Sequence, residues 1–207
     1  MMRLPEFFKS VPVLTVYDPL AECLGSAEGG VIEYRYADAV RLAGHSCPTV
    51  AMSYALTCKG LSELYGESLP ERGAVRAVFS DGVEAGVTGV VAGVVGLLCG
   101  AAVAGGFGGI AGRFARRGLM QFGVAGEAVF RLQRPDVGAE VSLSARLDRV
   151  PAASGLRPLM HLVGAGTASR AERQEFARLW QARVRRMLLD HWDDGELWQV
   201  ERRGIQG

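Results

Sequence analysis

Positions 11 to 17 are apolar and β-branched around Pro12, and positions 31 to 36 carry Val31, Ile32, Tyr34 and Tyr36 about Glu33 and Arg35; such short runs between turn-forming residues predict strands. Asp38 is placed to cap a short helix through Leu42, which Gly44 would end. Pro48 suits the first turn of the next helix, because the N–H that it lacks would be unpaired there. From position 50 to 65, Val50, Ala51, Tyr54, Ala55, Cys58, Leu61 and Leu64 recur at three- and four-residue spacing, the pattern of a helix with one core-facing side. Cys58 then reads as core packing. Positions 73 to 79 predict a strand. Positions 119 to 122, 127 to 133 and 140 to 147 alternate apolar with polar residues, as half-buried antiparallel strands do. Positions 151 to 158 read as a connection. Ser169 and Glu172 have the spacing of a capping box for a long helix reaching Asp190, with Phe176, Leu179, Trp180, Val184, Met187 and Leu188 as its apolar stripe. Positions 197 to 200 add a last strand. Helices and antiparallel strands alternate without a βαβ rhythm, so the fold class is α+β. The expected arrangement is a single domain over residues 1–207, its antiparallel or mixed sheet packed against the Pro48 helix and the long C-terminal helix.

One stretch breaks the pattern. Positions 87 to 112 carry no charged residue, a length sufficient for a membrane span. Glycine crowds its second half too densely for a continuous helix, which favours a buried helix over positions 83 to 98 followed by a glycine loop. Glycines 89, 93, 96 and 100 would let another element approach closely. The expectation is therefore no membrane partner.

Composition adds limits rather than direction. The 207 residues are 49% hydrophobic and 22% charged with a formal net charge of +1, which gives no electrostatic case for nucleic acid. Four cysteines and no apolar stretch resembling a signal peptide within the first ten positions point to a reducing, cytoplasmic setting. There a cysteine is core filler, ligand or nucleophile.

The chemistry concentrates in Gly44-His45-Ser46-Cys47-Pro48. Cys47 falls at a helix N-terminus, where unpaired amides and the macrodipole favour the thiolate, the form that binds metals. His45 can reach the same point. This stretch resembles the Gly-His-x-Cys-Pro signature of proteins related to the E subunit of formylmethanofuran dehydrogenase. The likeness continues into positions 81 to 89 and 106 to 114, covering residues 36 to 125 in all. It implies a domain of that type with a metal, zinc or another transition metal, on His45 and Cys47. Ala43 stands where many relatives have His, and no second cysteine-rich patch follows.

Catalytic zinc usually takes three protein ligands and keeps one open position, so a third donor is expected from Cys99, Asp81, Glu84 or His161. A small-molecule ligand would approach the open position, and the apolar glycine segment leaves room for a homodimer interface. Two other readings stay open: a non-catalytic partner or sensor module with a structural metal or thiol, and a metal-free thiol enzyme with Cys47 as nucleophile and His45 as base. His191, at a helix end, reads as a capping residue. Finally, Gly106-Phe107-Gly108-Gly109-Ile110-Ala111 fits G-x-G-x-x-A, with Arg113, Arg116 and Arg117 following. No strand precedes it, so a tight turn is expected, with Gly106, Gly108 and Arg113 as candidates for holding an anionic cofactor.

Overall fold

Asp18 opens the architecture, because its side chain is needed in two places at once. The structure, a computed structural model, describes residues 4–204. Strand β1 (Leu14–Tyr17) pairs antiparallel with β2 (Val31–Tyr34), and between them runs the short helix α1 (Pro19–Cys23). Asp18 caps that helix, its Oδ1 accepting from the amides of Leu20 at 2.9 Å and Ala21 at 3.2 Å. The same carboxylate is almost fully buried and meets the guanidinium groups of Arg72 at 2.8 Å and Arg116 at 2.6 Å.

Helix α2 (Tyr36–Ala43) starts two residues before the expected Asp38 and ends at Gly44, where φ is 75°. Asp38 does cap, but from the third helical position, accepting from the Arg35 amide at 2.8 Å. Helix α3 (Pro48–Tyr65) begins at Pro48 and stops at Gly66. The spacing of its apolar residues predicts a one-sided helix; instead every residue from Val50 to Cys58 is buried, so α3 is the central rod of the molecule. Its polar residues are accommodated within the helix itself. Ser53 and Thr57 donate to the carbonyl oxygens four residues back, each at 2.7 Å, which removes the penalty of an unpaired buried hydroxyl.

Beyond α3 come β3 (Arg76–Phe79), α4 (Thr88–Cys99), β4 (Met120–Gln121), β5 (Phe130–Arg134) and β6 (Ala139–Ala145). Then follow α5 (Leu156–Gly164), α6 (Arg170–Arg185), a single π-helical turn over Arg186–Asp190, and β7 (Trp198–Gly204). The last five strands form one mixed sheet in the order β4-β3-β5-β6-β7, parallel only between β3 and β4. One face of the sheet lies on α3, and the approach is close: a methyl group added at Gly60 would stand 2.7 Å from Leu143. The fold is α+β, as the pattern indicates.

Four expectations need correction. α4 begins at Thr88 rather than 83, the intervening residues forming turns. A methyl group at Gly93 would meet only Leu42, at 4.0 Å, and one at Gly89 only the Val83 carbonyl oxygen of the preceding turn, so neither glycine admits a closely packed element, whereas one at Gly96 would stand 3.3 Å from Met120 of β4 and one at Gly100 2.9 Å from Arg116. Among the described residues no helix is long and apolar enough to cross a membrane. The stretch that reads as a connection up to Pro158 instead leads into α5, because proline three residues into a helix still lies in the first turn and lacks no needed bond. The capping box at Ser169 and Glu172 is present, but of the stripe along α6 only Val184 and the π-turn residues Met187 and Leu188 are fully buried.

Removing the charge from Asp18 tests the buried cluster without removing the cap, since asparagine also caps helices well. Asp18→Asn leaves two guanidinium groups without their carboxylate and is expected to lower the unfolding free energy by about 3–5 kcal/mol in urea titrations. Burial works to raise the Asp18 carboxyl, but Arg72, the Ala21 amide and Arg116 together hold it below its ordinary value. A depressed carboxyl stabilises the fold above its unfolded value of about 3.9, so wild-type stability should fall as pH drops below that point, and the variant should show less of this loss.

Candidate functional site

The turn between α2 and α3 presents His45 and Cys47 in different ways. Cys47 is the N-cap of α3, nearly buried, and its Sγ accepts from the Val50 amide at 3.5 Å. His45 is exposed, and its Nδ1 lies 2.9 Å from the carbonyl oxygen of Ala43. A carbonyl oxygen can only accept, so Nδ1 carries the proton. In the neutral ring this leaves the Nε2 lone pair without a partner among the described residues, which is the arrangement seen when a histidine serves as a metal ligand with its other nitrogen anchored.

Ser46, between them, is clamped from α6. The Trp180 indole donates to the Ser46 carbonyl oxygen at 3.0 Å, and the Gln181 Nε2 donates to the same oxygen at 3.1 Å. The Ser46 hydroxyl donates to Gln181 Oε1 at 3.0 Å. Its proton is thereby committed, so the Tyr36 hydroxyl, 2.8 Å away, donates to Ser46 Oγ. Burial holds the Tyr36 phenol well above its ordinary value, which keeps it a donor. No pattern in the sequence singles out Tyr36, Trp180 or Gln181 for this role. The two on α6 lie 134 and 135 residues from Ser46, and no local spacing betrays such a contact.

The structure does not gather the other candidate ligands around this turn. Among the described residues no group of three or more His, Cys, Asp and Glu side chains is placed to hold a metal ion. Asp81 and Glu84 are exposed in the turns between β3 and α4. His161 is exposed on α5, not in a loop. Cys99 is 1% exposed at the end of α4, where burial pushes its thiol up to about 12 despite the pull of Arg72. His191 follows the π turn and pairs with Asp194 at 3.1 Å, a local structural contact.

At the glycine loop the chain packs closely on itself. A side chain at Gly106 would overlap Ala102, and the Phe107 carbonyl oxygen accepts from the amides of Arg116 and Arg117 at 2.8 and 3.1 Å. Gly106 thus lets two chain segments run side by side, whereas a side chain at Gly108 would meet only the end of Arg117, at 3.5 Å. Arg113, the third candidate of that set, lines a cavity of about 280 Å³ together with Arg72, Arg116, Glu71 and Gly73.

Compared with known proteins, the chain matches no protein-family model and no curated protein.

The cysteines divide by environment. All four are free, and Cys23 is exposed. Burial pushes the Cys58 thiol up to about 12. Since the thiolate is the reactive form, Cys58 and Cys99 are expected to resist iodoacetamide at pH 8 until the protein unfolds, while Cys23 is labelled at once. Peptide mass spectrometry after timed alkylation reads this directly, and equal labelling of all four would contradict the buried placement.

Proposed function

We propose that the chain is a metal-binding protein related in type to the E subunit of formylmethanofuran dehydrogenase, holding zinc through His45 and Cys47 with a small molecule approaching the same ion. The observation that supports it most is the anchored imidazole: Nδ1 bonded to the Ala43 carbonyl leaves Nε2 as a donor two residues from a thiol at a helix N-terminus. Nitrogen and sulfur donors suit zinc, and another first-row transition metal would accept them as well. The donor chemistry therefore fits. The number does not reach a closed site, and the remaining positions would fall to water, to the small molecule, or to a second copy of the chain.

That shortage bears on the alternative of a structural metal in a sensor or partner module. Structural zinc is closed by four protein ligands, whereas two ligands on a clamped turn describe an open, exchangeable site. Bound zinc would act there as a Lewis acid toward a ligand oxygen. The chain's own contribution is to fix the imidazole and the thiol, through Ala43 on one side and Trp180 and Gln181 on the other.

Protein purified without chelator or histidine tag should carry zinc by elemental analysis. His45→Ala and Cys47→Ser should each reduce that content sharply while far-ultraviolet circular dichroism stays unchanged. Affinity should fall on acidification, because both donors must shed protons to bind. A metal-free wild type, or unchanged metal in both variants, would overturn the proposal. Loss of fold together with metal would favour the structural module.

A further inference from the structure

The cluster around Asp18 is unbalanced. Two guanidinium groups, Arg72 and Arg116, share one carboxylate, and Arg116 is only 6% exposed. Arg72 is largely committed: its Nε and Nη2 donate to the Leu97 carbonyl oxygen at 3.1 and 3.0 Å, and its Nη1 to Asp18. Arg116 gives Nη2 to Asp18 and Nη1 to the Arg72 carbonyl oxygen. Its Nε is enclosed and has no hydrogen-bond partner among the described residues. An enclosed donor left without a partner is uncommon in a folded protein and costs free energy.

The cavity of about 280 Å³ opens beside these two arginines. On its rim Arg113 is exposed and stacks over the Phe114 ring at 4.7 Å rather than pairing with a carboxylate among the described residues. Phe114 itself is held at a φ of 62°, in the left-handed region that an aromatic residue seldom adopts, so the loop is turned there by its surroundings. Among the described residues the one carboxylate lining the cavity is Glu71, which is exposed. Three guanidinium groups thus face two carboxylates, Glu71 and Asp18, leaving one positive charge on the cavity wall.

From this we infer that the cavity between the Glu71–Gly73 turn and the Arg113–Arg116 loop is a binding site for a small oxyanion, a phosphate or carboxylate group, free or at the end of a small metabolite. Planar guanidinium groups present paired N–H donors that match the oxygens of such an anion, and a partly enclosed position weakens competition from water. The anion would supply the missing negative charge. This site is independent of the His45–Cys47 turn and does not require that a metal is bound there.

Thermal unfolding of the full chain at pH 7.5 tests it, with sodium phosphate, sodium succinate and sodium chloride compared at equal ionic strength so that general screening is matched. Phosphate, succinate or both should raise the midpoint by about 2–4 °C at roughly five times the dissociation constant, and chloride should not. Which of the two acts separates a phosphate site from a carboxylate site. Arg113→Ala removes an exposed group that anchors no other element, so it should fold normally and weaken calorimetric binding about ten-fold or more. Arg116→Lys keeps the charge but loses the fork and should also weaken binding. If neither anion exceeds chloride, or if Arg113→Ala binds as the wild type does, the inference is wrong.

Discussion

The Asp18 carboxylate is the interaction on which the arrangement of this half of the molecule depends. It starts α1, holds Arg72 in the turn that leads to β3, and holds Arg116 at the far end of the glycine loop. Arg72 then reaches the last turn of α4 through the Leu97 carbonyl oxygen. Four segments spread over almost a hundred residues are thereby fixed to one another by three side chains. The geometry is tight. A side chain at Gly73 would overlap the Arg116 guanidinium, and one at Gly100 would stand 2.9 Å from it. Both glycines also have positive φ, so a turn and a helix end take the one residue that tolerates the backbone and the crowding together. Buried ion clusters of this kind seldom add net stability over a well-packed apolar alternative, but breaking one is expensive. Its effect here is to define which segments meet.

Much of the fold is legible from local signals. Pro48 and Gly66 bracket α3, and the Ser169–Glu172 box marks the start of α6, because caps and breakers act within one turn of the residue that carries them. The alternating strands of the sheet are legible for the same reason. What local signals misjudge is environment. The three- and four-residue spacing along α3 implies one side facing solvent, yet Ser53 and Thr57 bond back into the helix and leave it free to be surrounded. Pro158 suggests a break and sits in a first turn instead.

The candidate site divides along the same line. His45 and Cys47 are neighbours in sequence, so their juxtaposition is readable. Trp180, Gln181 and Arg72 act at a distance, and nothing in their immediate sequence context distinguishes them from other residues of a helix or turn. Arg113 and Arg116 stand out in the sequence only as followers of a glycine-rich motif. Gly106 of that motif serves chain packing, while one of the arginines belongs to the buried cluster and the other to the rim of the cavity.

The clamp on Ser46 also sets an order of events in synthesis. The chain emerges from its N-terminus, and α2, α3 and the intervening turn are complete long before Trp180 and Gln181 exist. Until α6 has been made and docked, the Ser46 carbonyl lacks both of its side-chain donors, and the turn that carries His45 and Cys47 is held only by nearby contacts such as the Tyr36 hydroxyl. Long-range contacts of this sort close late because the intervening chain must first be ordered. This turn is therefore among the last segments to gain its full set of hydrogen bonds, and a C-terminally shortened chain that lacks α6 would leave the Ser46 carbonyl oxygen without its indole and amide donors.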